Sequence, residues 1–252
     1  LYESWVGVSS YLVFNYQLGL AKELAVRQAL AHAVDKQTII DQILPTLAQP
    51  AFAPLAPTTF GYSPDLVKFE YGFDPEKSKQ LLADAGFADS NNDGILEREG
   101  QSLEFEILTP TSSTYEKIFG LLRSQFADIG VVVELRQAAA SEIAEITPTG
   151  EFDLLLYHYF WPYPSALDLF LSSERIGASN RVAYSNSQVD DLLQRASQLP
   201  NDSSEKEALL IQAQSIILQD AAWQPLLVRK VVTAVNNRVS GIKVHPSEGL
   251  LW

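Results

Sequence analysis

The chain has 252 residues, 46% of them apolar and 19% charged, enough for one large or two small domains with buried cores. Its formal charge is −13 at pH 7, from 18 Lys and Arg against 31 Asp and Glu. That acidity argues against a nucleic-acid partner, and the absence of Cys excludes thiol nucleophiles, disulfides, thiolate metal sites and iron–sulfur clusters.

Residues 5–15 are rich in β-branched and aromatic side chains and predict a strand. Residues 23–34 place Leu24, Leu30, Ala31 and Val34 on one helical face, and a second helical stretch covers 35–44. Arg27 and Asp35, within these helices, are expected to form a structural pair. Pro45, Pro50, Pro54, Pro57 and Pro64 then predict a long segment without regular structure over 45–65. Residues 74–86 carry a full set of helix signals: Asp74 to cap, Pro75 in the first turn, Gly86 as the left-handed stop. A strictly alternating strand at 103–108, a helix at 114–129 and a strand at 131–136 predict a βαβ unit with parallel pairing. A short helix near 139–146 precedes a nearly continuous apolar strand at 152–158, the pattern of burial on both faces. Helices at 187–198 and 204–220 follow, the second with Ser204 and Glu207 at capping-box spacing, and a last strand covers 226–235. The class is α/β.

Several chemistries are missing. No two glycines lie closer than six residues apart, so neither a dinucleotide fingerprint nor a P-loop is present. There is no G-x-S-x-G elbow, and His32, His158 and His245 form no metal-binding pattern. No stretch approaches the length of apolar sequence a membrane span needs.

Three positive signals remain. Asp89, Asn91, Asp93, Ile95 and Glu97, with Gly94, match the start of a calcium loop, although Gly100 stands where the bidentate Glu belongs. The alternative is an Asx-rich turn between the helix ending at Gly86 and the strand at 103. Second, the aromatic run of His158, Tyr159, Phe160 and Trp161 leaves the carboxyl end of a buried strand. The segment holding Thr111, Ser112 and Ser113 leaves the carboxyl end of another and opens a helix N-terminus. If the two strands share a sheet, both turns line one edge, where open α/β sheets bind ligands. The alternative is that the rings fill the core. Third, Asn180 and Arg181 with Tyr184 and Asn186 form either a ligand-facing loop or one whose amides satisfy local backbone.

The order of short motifs resembles a family. These are Tyr11 to Asn15, Val26 to Ala29 with Ala33 to Lys36, Asp74 to Lys77 with Leu81 to Phe87, Asp93 and Gly94, Asp128 to Val131, Gly150 to Asp153, and Asn180 with Tyr184 to Asn186 and Asp190. Together they resemble the family 5 extracellular solute-binding proteins, the dipeptide and oligopeptide receptors of ABC importers. The resemblance implies a type II periplasmic-binding-protein-like lobe with a mixed, mainly parallel sheet flanked by helices. Residues 1–224 would be the second lobe and 225–252 a return segment toward the hinge and first lobe. The absence of Met fits a processed product or a piece of a longer protein whose first lobe and export signal lie elsewhere.

The implied function is capture of a small solute between two lobes and delivery to a membrane permease, without catalysis and without a required cofactor; a structural calcium at 89–97 is the one candidate. The implied location is the periplasm or the outer face of the cell membrane, lipid-anchored in the full-length protein, as a monomer. Tyr115 partly matches an Arg/Tyr pair of some dipeptide receptors. In peptide-binding members an Asp pairs with the peptide amino group; its position corresponds here to Phe160 or Trp161, and no acid occurs between Asp153 and Asp168. An ammonium left unpaired there costs about 2–5 kcal/mol. The expected ligand is therefore neutral, aromatic or sugar-like, or a peptide held by backbone pairing. Two other readings are a peptide-sensing or protein-interaction module on this fold, and a hydrolase using two converging carboxylates.

Overall fold

The computed structural model describes residues 2–160, 163–236, 238, 243–244 and 250–251. The N-terminal β-branched run forms β1 (Tyr2–Phe14). Helices α1 (Leu24–His32) and α2 (Lys36–Ile43) follow, and Asp35 caps α2 by accepting the Thr38 N–H at 3.0 Å. The proline-rich segment, expected to hold no regular element, supplies a three-residue strand, β2 (Ala48–Pro50). It survives because it lies at the sheet edge with Pro50 at its end, where a missing N–H costs little. Asp74 accepts the Lys77 N–H at 2.9 Å to start α3 (Pro75–Asp84), and Gly86 at φ +88° ends it.

A small hairpin, β3 (Glu97–Arg98) and β4 (Gln101–Ser102), leads to β5 (Glu104–Pro110), α4 (Ser113–Ala127) and β6 (Val132–Ala138). Then come α5 (Ala140–Ile146), β7 (Leu154–Phe160), α6 (Ala166–Leu171), α7 (Ser187–Ser197), α8 (Ser204–Gln219) and β8 (Trp223–Thr233). Sequence periodicity misses α6, whose six residues are too few to show a helical stripe. The α8 cap sits one residue before its expected place: Ser203 Oγ accepts the Lys206 N–H at 3.2 Å.

Six strands form one mixed sheet in the order β2-β8-β1-β7-β5-β6. β5 runs parallel to β6 and β7, while β1 is antiparallel to β7 and β8, and β2 to β8. Strands β5, β6, β7 and β8 therefore share one direction, and the antiparallel pairings occupy the other half of the sheet. Alternation sorts the side chains to two cores. Leu12, Phe14, Ile107 and Leu154 meet α1 to α4 on one face. Tyr11, Leu155 and Trp223 meet α5 to α8 on the other.

One expectation changes here, and the 224/225 division stays a proposal: β8 spans it, its residues pairing with β1 as far as Thr233 within the same sheet as the rest. Of the remainder, residues 237, 239–242, 245–249 and 252, His245 among them, lie outside the described residues, as does Leu1. Arg27 does not pair with Asp35: its Nε and Nη2 donate to the Asp220 carbonyl at 3.1 and 3.0 Å, and its plane lies 4.1 Å from the Tyr16 ring centroid. A planar guanidinium can fork onto one carbonyl, and here it ties α1 to the end of α8.

One feature of the ladder bears on function. Among the described residues, β7 pairs with β1 from Val8 onward, and β2 meets β8 as far as Arg229, with the Lys230 N–H still donating to the Leu47 carbonyl at 2.8 Å. Backbone pairs Tyr2 to Thr233 through Ser4 to Val231 therefore run on among the described residues as a two-stranded ribbon past the sheet. Strand directions put this ribbon at the carboxyl ends of β7 and β5.

Candidate functional site

The turns singled out in the sequence leave neighbouring parallel strands: Ile107 is opposite Leu154, and Leu108 opposite Leu155. Both turns emerge at the sheet edge from which the ribbon extends. Thr111 and Ser113 are exposed and Ser112 half-buried, at the start of α4. Among the described residues no side chain caps this helix, which leaves its first N–H groups open at that end. Tyr115, one turn in, is buried, and its hydroxyl shares a 2.6 Å hydrogen bond with His158 Nδ1. The His158 ring stacks within 12° of Tyr115 and within 4° of Tyr157. Burial pushes the Tyr115 hydroxyl above the ordinary tyrosine value, partly offset by a hydrogen bond from Ser10 and the charge of Arg229. Phe160 and Tyr163 project outward, 40% and 70% exposed.

Two of the candidate residues turn elsewhere. Tyr159 points to the opposite face, because a strand alternates: His158 and Phe160 go one way and Tyr159 the other. Its ring is buried 4.6 Å from Trp223 and 4.8 Å from Phe170, and that burial raises its pKa. Asn180 is buried, and its amide donates to the Ser172 and Tyr184 carbonyls at 3.0 and 2.8 Å. Its nitrogen thus serves the local backbone, which is the second of the two readings the sequence left open. Trp161 lies outside the described residues. Ser10 and Arg229 were not singled out from sequence; only the cross-strand register brings them beside Tyr115, and no local motif marks them.

In the 89–97 segment the side-chain oxygens are turned onto the loop's own N–H groups. Asp89 accepts from Asp93 and Gly94 at 3.1 and 3.0 Å, Asn91 from Asp93 at 2.9 Å, and Asp93 from Ile95 at 2.8 Å. Glu97 accepts from the Ser90 N–H at 2.9 Å. The Asn91 and Asp93 bonds, each to the N–H two residues on, are Asx-turn bonds, while those of Asp89 and Glu97 close the loop over a longer span. Among the described residues no group of three or more His, Cys, Asp or Glu is arranged to hold a metal ion.

The profile of the bacterial extracellular solute-binding proteins, family 5 (middle region), matches residues 2–177. The chain belongs to this family. Its members among curated proteins include the oligopeptide-binding protein AppA of Bacillus subtilis, 28% identical over 95% of this chain and 45% of AppA. Heme-binding protein A of Haemophilus influenzae is 28% identical over 94% of this chain and 42% of its own length. The solved structure of Bacillus subtilis AppA, in complex with a nonapeptide, superposes with a TM-score of 0.85 at 27% identity, covering 91% of this chain and 46% of that one. HbpA2 of Haemophilus parasuis gives 0.85 at 25% identity, covering 98% and 47%. The chain thus spans less than half the length of these relatives, and its α/β lobe is of the type II periplasmic-binding-protein kind.

Proposed function

We propose that this chain is one lobe of the extracytoplasmic solute receptor of an ABC importer, and that the edge joining Thr111–Tyr115 to His158–Phe160 is its half of the ligand cleft. The observation that carries this reading is the Tyr115–His158 hydrogen bond: it fastens the two turns at the carboxyl ends of adjacent parallel strands, beside the paired ribbon of β1 and β8. Two crossing segments of this kind suit a hinge, about which a second lobe closes on the solute. The edge offers free hydroxyls, helix N–H groups and exposed rings, a surface for binding and orienting a solute. The receptor binds and releases its solute without turnover, works outside the cytoplasmic membrane, and hands the solute to a permease. Among the described residues no helix is long and apolar enough to cross a membrane.

The solute class we infer is a peptide or peptide-like molecule held without a carboxylate partner for its amino group. Relatives described as oligopeptide-, heme- and glutathione-binding support a range of solutes on this frame. Residues 154–167 contain no acid, which favours recognition through backbone and rings. Calorimetry on the full-length protein with a peptide mixture and its N-acetylated counterpart tests this. Binding should survive acetylation within about tenfold, because no ion pair is lost. Loss of all binding on acetylation, or hydrolysis of the peptides, overturns the reading.

A further inference from the structure

We propose that the cavity between the start of α6, the end of α7 and the start of α8 binds an apolar carboxylate, with Lys206 as its anion-binding group. The cavity holds about 470 Å³, within the range of about 300–1,000 Å³ that small-molecule sites occupy. Phe60, Leu193 and Leu210 supply apolar walls, and Tyr163 stands at the side nearest the ring-rich turn.

Lys206 lines this cavity and is only 8% exposed. Its ammonium donates to Asn201 Oδ1 at 2.9 Å and to the Leu199 carbonyl at 3.3 Å. An ammonium has three donors, and both of these acceptors are neutral. Among the described residues no carboxylate lies within ion-pair distance of it. An anion in the cavity would accept a hydrogen bond from the third N–H and offset the charge. Asp168, the one acid in the lining, is engaged by Arg175 at 3.5 Å. Apolar walls with one buried, uncompensated cation select a carboxylate carrying an apolar body. A free monocarboxylate and the C-terminus of a peptide with an apolar last residue present the same chemistry.

Titrating the purified protein with octanoate against octanol, and with a Phe-terminated tripeptide against its C-terminal amide, tests the proposal and separates the two sources. At least one acid should bind, roughly tenfold or more tighter than its neutral counterpart, the loss expected for one charge-assisted hydrogen bond. Lys206→Met should remove that preference. Ser197→Trp, at an exposed rim position, should close the cavity and abolish binding with the thermal unfolding midpoint kept. Octanoate binding alone assigns a free carboxylate, and tripeptide binding alone a peptide terminus. Equal binding of acid and neutral forms, no binding of either acid, or binding by Ser197→Trp as in the wild type overturns the proposal.

Discussion

The Tyr115 hydroxyl and His158 Nδ1, 43 residues apart in sequence, lie 2.6 Å from one another and join α4 to the end of β7. If this bond shapes the cleft edge, the two partners differ in what they contribute. Tyr115→Phe keeps the buried ring and removes only the hydrogen bond, so the fold should lose about 0.5–1.5 kcal/mol in urea unfolding. His158→Ala also removes an exposed, stacked ring from the edge. Its stability cost should be at least as large, because the buried Tyr115 hydroxyl loses a partner, and solute affinity of the full-length protein should fall more than for Tyr115→Phe. Equal affinities for the two variants would count against a ligand-facing role for His158.

Arg27 was expected beside Asp35 and is instead forked onto the Asp220 carbonyl, while Tyr184 and Asn186 donate to the Asp220 side chain at 2.7 and 2.9 Å. A lysine carries the charge but not the planar fork, nor its stacking on Tyr16. The Tyr16 hydroxyl still donates to that carbonyl at 3.0 Å, so Arg27→Lys should cost about 1.5–3 kcal/mol, the scale of a hydrogen bond made by a charged group, and chemical denaturation reads it directly. A cost below the error of the measurement would mean that the fork is not holding α1 to α8.

Tyr16, Tyr115, Tyr159 and Tyr184 are all held above the ordinary tyrosine pKa, chiefly by burial. The unfolded chain releases these protons near pH 10, at about the unperturbed value, while the folded chain keeps them. The folded state thus binds more protons in that range. The linked stability is fully present below about pH 10 and drains away as pH rises toward the folded-state values. Stability measured by denaturant should be flat from neutral pH and fall steeply above about pH 10. Tyrosinate absorbance of these four residues should appear together with unfolding. Their ionisation at about pH 10 in a still-folded protein would contradict the burial argument.

The 89–97 loop closes on its own N–H groups through Asp89, Asn91 and Asp93. An Asx-turn reading predicts that added calcium, or its removal by chelator, leaves the thermal midpoint unchanged. Asp89→Ala should cost about 0.5–2 kcal/mol with or without calcium, the range of a lost side-chain cap. A calcium-dependent rise of several degrees would favour the metal reading of this segment instead.

Much of the fold was legible because local rules dominate it. The alternation of 103–108 and the helical stripe of 114–129 specify a βαβ unit before any long-range contact forms. What depended on distant partners was not. Pro50 reads as a breaker until its position on an edge strand is known, and the strand at 226–235 gives no sign of its partner until β1 lies against it. At the site, the turns at Thr111 and His158 followed from strand ends. The inward turn of Tyr159 follows from strand parity with Leu155, a signal present in the sequence and outweighed by the clustering of rings. Ser10 and Arg229 carry no such signal, since only the register of β1 against β7 and β8 brings them to Tyr115. Asn180 looked like a site residue because an amide suits a ligand and a buried backbone equally well.

The central claim is that solute binds at the carboxyl edge marked by Tyr115 and His158. Hydrogen exchange of the full-length protein, with and without a saturating mixture of random tri- to nonapeptides, tests it most directly. The account predicts new protection in segments 109–116 and 157–160, with the opposite edge around Tyr16, Arg27 and Asp220 unchanged. Protection confined to that opposite edge, or binding with no change at either turn, would contradict it.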